Sequence, residues 1–132
     1  MKIINILAIA VGASVGATLR FKLNMLLLHI SYPIGTLIEN ILGSFLLGFL
    51  TAWFSCKAPK EWVKLGLGVG LCGAFTTFST LASDTVALAL AYHFLVSVSY
   101  VFVSMFGGIL SALVGYLFGV KLWKVYKREM SH

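Results

Sequence analysis

Residues 70–84 read Gly70-Leu-Cys-Gly73-Ala-Phe-Thr-Thr-Phe78-Ser-Thr80-Leu-Ala-Ser-Asp84, and they fall in the middle of an apolar stretch long enough to cross a bilayer. A spanning helix is normally apolar, because a polar group left unpaired in hydrocarbon costs several kcal/mol. Here glycines alternate with Cys72, Thr76, Thr77, Ser79, Thr80, Ser83 and Asp84. Such a run is tolerated only where protein buries it or where it lines an aqueous path. The stretch therefore predicts a helix broken near its middle and carrying an ion site.

The surrounding sequence sets that helix in lipid. Of the 132 residues, 60% are hydrophobic, and the mean hydropathy is +0.99. A soluble domain is about 45–50% apolar. Four hydrophobic spans stand out, at about 3–28, 33–54, 62–91 and 94–120, followed by a basic tail over 121–132. Each can cross ~30 Å of hydrocarbon at ~1.5 Å per residue. The first apolar run is too long for a cleavable signal. The expectation is an all-α membrane protein, one domain of four transmembrane helices.

Charge fixes the orientation. Lys2, Lys57, Lys60, Lys64, Lys121, Lys124, Lys127 and Arg128 cluster at the N-terminus, the second loop and the C-terminus, which share one side of a four-span protein. The other side can claim only Arg20 and Lys22. Eight against two is a strong positive-inside bias. The predicted location is the cell membrane, multi-pass, with both termini cytoplasmic. The net charge of +6, sorted in this way, is not a nucleic-acid footprint.

Other chemistries find no support. Cys56 and Cys72 lie in different surroundings and form no disulfide framework. His29, His93 and His132 are scattered and show no metal-ligand spacing. No nucleotide loop or catalytic triad appears, so the chain is not read as an enzyme.

Within the spans, Gly12 and Gly16 form a small-xxx-small pattern that admits a close neighbouring helix. Arg20 shares roughly that face; an arginine in a span marks either a functional site or a side chain reaching for the interface. In the second span Asn40, Ser44 and Gly48 lie along one face, while Glu39 points about 100° away. Glu39 reads as a neutral carboxyl, a partner for a cation, or a proton carrier. In the third span Gly66, Gly68, Gly70 and Gly73 lower helix propensity, and the hydroxyls of Thr76, Thr77, Ser79 and Thr80 can replace lost backbone partners. Unwound carbonyls in such a break can coordinate a monovalent cation. Phe75 and Phe78 offer ring edges that an anion can meet, although a phenylalanine in a span ordinarily packs. In the fourth span Gly107, Ser111, Gly115 and Gly119 make a small-residue stripe. Beside it run Tyr100, Ser104, Gly108 and Ala112, polar only at the first two positions.

Three motifs stand in order: Gly12-x-x-x-Gly16-Ala-x-x-Arg20-Phe21, Gly35-Thr-Leu-x-x-Asn40-x-x-Gly43-Ser-Phe-x-x-Gly48, and Gly70-x-Cys-Gly73-x-Phe-Thr76-Thr-Phe78-Ser-Thr80. Together they resemble the Fluc/CrcB family of fluoride channels over essentially the whole chain. The resemblance implies a four-span subunit that pairs antiparallel with a second subunit and gives passive fluoride export. It implies a structural sodium ion, not transported, held at the dimer centre by the main-chain carbonyls of Gly73 and Thr76. By motif position the pore residues are Asn40, Phe78, Thr80 and Ser104, with Arg20 in a structural or electrostatic role.

Three departures accompany the match. The family's second pore phenylalanine falls on Leu81, which has no polarised ring edge. The hydroxyl track of the last span falls on Ser104, Gly108 and Ala112, and only Ser104 supplies a hydroxyl. Glu39 replaces a usually apolar residue, and a carboxylate near an anion path repels fluoride unless it is neutral or turned away. Members that insert both ways need a weak charge bias. A fixed topology combined with lost pore residues therefore predicts one half of an antiparallel heterodimer, its partner carrying the opposite bias. The alternatives are a small four-span proton-coupled cation antiporter, which would have to recruit Glu39, and a non-conducting accessory subunit.

Overall fold

The computed structural model describes residues 2–27, 29–30 and 32–129. The last position of the first expected span, and the end of the basic tail with His132, lie outside the described residues. The described chain is all-helical, with four helical spans long and apolar enough to cross a membrane. These are α1 (Ile3–Leu27), α2 (Ile34–Lys57), a third span over Glu61–Ala91, and α6 (Phe94–Glu129). The third is composite, made of α3 (Glu61–Lys64), a π-helical stretch (Leu65–Cys72), α4 (Gly73–Phe75) and α5 (Ser79–Ala91). The basic tail does not leave the last span as a separate segment; its described part continues α6 to Glu129.

Local chemistry sets the ends. α2 begins directly after Pro33 and stops at Ala58, whose left-handed backbone (φ 42, ψ 55) turns its N–H onto Phe54 O at 3.0 Å. Pro59 follows and bars continuation of the helix. Between α4 and α5 lies a short non-helical step. Thr76 has φ −76 and ψ 156, and helix resumes at Ser79.

Small residues decide which helices pair. α1 lies along the π-helical stretch, and α2 lies along α6. A side chain on Gly12 would collide with the carbonyl of Gly66, and one on Gly16 with that of Leu71. From the opposite side, a Cβ on Gly70 would stand 2.7 Å from Ile9 O. The small-xxx-small face of α1 thus meets a second glycine pair, backbone against backbone, as small-residue seams in membranes do. Gly66 and Gly70 of the third span serve this approach and stay helical; the non-helical step falls among the threonines that follow. The α2–α6 seam has the same character. Gly48 sits against Ala112 O, Gly115 against Phe45 O, and Ser111 Oγ donates to Ile41 O at 2.8 Å. Towards the start of α6, Leu81, Leu88 and Tyr100 form a small core against Tyr32, Leu37 and Val96.

Candidate ion pathway

One open groove of about 440 Å³ gathers polar residues from α2, α6 and the step at 76–78. Asn40 and Ser44 of α2 line it, with Thr76, Thr77 and Phe78 of the step and Ser104 of α6.

Asn40 organises this groove. Its Oδ1 accepts from Thr77 N at 2.9 Å, while its Nδ2 donates to Thr77 O at 3.1 Å and to Ser104 Oγ at 3.4 Å. An asparagine amide has two N–H donors, and both are engaged here. The paired bonds to Thr77 hold that residue's backbone away from the helix it interrupts. Because Ser104 Oγ accepts from Asn40, its own hydroxyl proton is left for the groove.

The bonds also free two carbonyls. In a continuous helix Thr77 N–H would donate to Gly73 O, and Thr80 N–H to Thr76 O. Instead Thr77 N–H is taken by Asn40, and Thr80 N–H donates to Thr77 Oγ1 at 3.2 Å. No other backbone bond replaces either one among the described residues. Gly73 is exposed, with nothing within 4 Å of where a Cβ would stand. The Thr76 side chain turns away, its Oγ1 donating to Cys72 O at 3.0 Å.

The remaining expected residues divide. Phe78 is 80% exposed at the groove rim. Thr80 does not line the groove; its hydroxyl pairs with Thr77 Oγ1 at 3.0 Å. Leu81 is only 6% exposed and belongs to the core with Leu88 and Tyr100 while also reaching the groove wall. A side chain at Gly108 would stand 3.3 Å from Ser44 Oγ, so the position opposite Ser44 favours a small residue. Arg20 is half-buried on α1. Glu39 is 0% exposed, and neither carboxylate oxygen has a hydrogen-bond partner. Arg20 and Asp84 are the charged groups that act on it through space.

Two features go further than the sequence reading, in which Thr77 counts only for its hydroxyl and Asp84 has no partner. Thr77, buried at 7%, holds the step through its backbone and hydroxyl. Asp84 closes a cluster in which Thr36 Oγ1 and Tyr100 OH donate to its Oδ2 at 2.7 and 3.0 Å. The signal for the second was a lone carboxylate in a span, which requires donors, with Thr36 and Tyr100 near the ends of neighbouring spans.

Comparison with known proteins decides the family. Residues 7–116 match the family described as CrcB-like protein, Camphor Resistance (CrcB). The chain belongs to the CrcB family. Among its relatives, fluoride-specific ion channel FluC 2 of Halalkalibacterium halodurans is 56% identical over 127 residues, 96% of this chain and 94% of that protein. FluC 2 of Bacillus subtilis is 37% identical over 122 residues, 92% of each chain. FluC 2 of Ligilactobacillus salivarius is 37% identical over 131 residues, 98% of this chain and 95% of that one. These CrcB relatives are named as ion channels, not enzymes, and the four apolar spans agree with a multi-pass membrane protein.

Proposed function

We propose that the chain is a subunit of a fluoride-selective channel that lets fluoride leave the cytoplasm passively. The observation that carries this reading is the match, along nearly the whole length of both chains, to a fluoride-specific channel at 56% identity. The groove suits the chemistry. Fluoride is small and strongly hydrated, so its dehydration must be offset by donors and positive ring edges. Ser104 has a free hydroxyl proton, Asn40 has an amide beside it, and Phe78 has an exposed ring. Selectivity then follows from pore size and lining polarity.

On this reading the functional unit is an antiparallel dimer, and the step at 76–78 is the break of the third helix at its centre. Sodium fits the residues present. The carbonyls of Gly73 and Thr76 have lost their helical N–H partners, and Gly73 faces open space. A bound sodium ion would supply fixed positive charge there as a structural element. The eight-to-two distribution of basic residues supports a single topology with cytoplasmic termini, hence a partner of opposite bias. Leu81 in the core, with no hydroxyl at Gly108 or Ala112, supports one worn pathway beside one intact pathway.

Fluoride efflux from liposomes holding this chain alone, with and without internal sodium, tests the proposal. The expected result is silence alone and efflux once an oppositely biased partner is added. Efflux from the lone chain would replace the heterodimer by a homodimer. If Asn40 or Phe78 substitutions left the flux of the complex intact, the chain would be an accessory subunit.

A further inference from the structure

Where α2 ends against the last turns of α6, two adjoining clefts share Trp123 and Tyr126. One, of about 220 Å³, is walled by Phe49, Trp53, Lys57 and Leu122. The other, of about 270 Å³, adds Cys56 and Lys127. The Lys57 ammonium sits 5.6 Å from the centre of the Trp123 ring and 5.4 Å from that of Tyr126. An ammonium held over two ring faces is fixed in place while its outward N–H groups stay available to an acceptor. No acidic side chain lines either cleft. Lys121 and Lys124 lie on the same end of α6.

We propose that this double cleft binds one anionic phospholipid of the bilayer, with its phosphate between Lys57 and Lys127 and an acyl chain along Phe49 and Leu122. Charge complementarity argues for the phosphate, since two ammonium groups meet no carboxylate at the cleft mouths. The apolar wall argues for a lipid, because Phe49 and Leu122 have nothing to offer a free anion. Tryptophan and tyrosine beside lysine at the end of a span are also the side chains suited to the headgroup level. The proposal stands apart from fluoride conduction and needs only the four-span fold.

The chain has three tryptophans, and Trp62 is the one that lines neither cleft. In full-length Trp62→Phe protein reconstituted in mixed bilayers, fluorescence therefore reports on Trp53 and Trp123. Quenching by bromine-labelled phosphatidylglycerol is expected to exceed that by bromine-labelled phosphatidylcholine more than fivefold at equal mole fraction, since each of the two lysines confers about a fivefold preference near an anionic surface. Adding Lys57→Gln and Lys127→Gln should bring the two lipids to parity. Lys64→Gln, outside the clefts, should leave the preference intact, and continued quenching by phosphatidylcholine shows that each variant is inserted. Equal quenching by both lipids in the parent, or a preference that survives the double substitution, would overturn the proposal. Loss of the preference on adding soluble glycerol phosphate would overturn the acyl-chain assignment.

Discussion

Asn40 spends both amide protons and its carbonyl on residues far from it in sequence, and Glu39, its neighbour, spends nothing. Asn40→Ala would strip Thr77 N–H and Thr77 O of partners in a buried place, at a cost of about 1–3 kcal/mol for each unpaired group. We expect a lower thermal unfolding midpoint in detergent together with loss of fluoride flux. A variant that unfolds like the parent yet fails to conduct would mean that Asn40 serves the anion alone. Glu39→Leu should act in the opposite direction. A fully buried carboxyl without a partner costs free energy whether it is ionised or neutral, and leucine removes the polar atoms. The purified lone chain should melt at a higher temperature; a lower midpoint would show that the carboxyl has a partner supplied from outside the chain. That Asn40, Phe78 and Ser104 line one groove is consistent with where the sequence put them, Asn40 and Phe78 in ordered motifs and Ser104 on a stripe of the last span. The hydroxyl of Thr77 was legible as a stand-in for a lost backbone partner; its backbone pairing was not, because it runs through an amide 37 residues away.

At the scale of elements, both helix pairs are built on backbone approach, so each glycine has its own tolerance. Gly16→Ala would drive a methyl into Leu71 O, and neither helix can retreat without opening the α1 seam. Overpacking of this kind costs about 1–3 kcal/mol, read as a lower unfolding midpoint. Gly107→Ala meets only the side chain of Ile41, at 3.4 Å, an ordinary contact. It gains up to ~1 kcal/mol of helix propensity, so its midpoint should stay level or rise. Equal losses in the two variants would refute the seam as the cause. The spans could be read to within a few residues at every end but the last, because hydropathy and length alone set them; α6 runs on to Glu129, past the expected 120, since the basic residues there end the apolar run without ending the helix. The π-helical stretch could not. A glycine run in one chain reads equally as a place to unwind or a place to be approached, and only the partner helix, with Gly12 and Gly16, decides between them.

On the scale of the whole molecule, α6 is 36 residues long, or ~54 Å at ~1.5 Å per residue against a hydrocarbon core of ~30 Å. Its final turns, with Lys121, Lys124, Lys127 and Arg128, therefore stand outside the hydrocarbon. That charge, with Lys57, Lys60 and Lys64, predicts one orientation. A reporter fused to the C-terminus should be found only on the cytoplasmic side. Replacing those seven basic residues by glutamine should leave the chain in both orientations; an unchanged single orientation would place the determinant elsewhere.

The seams of this fold run backbone to backbone, through Gly12 and Gly66 and through Gly48 and Ala112, while the groove beside them is furnished by side chains. Inheritance can act on the two separately. A lineage can exchange what lines the groove without disturbing the framework that holds the helices together.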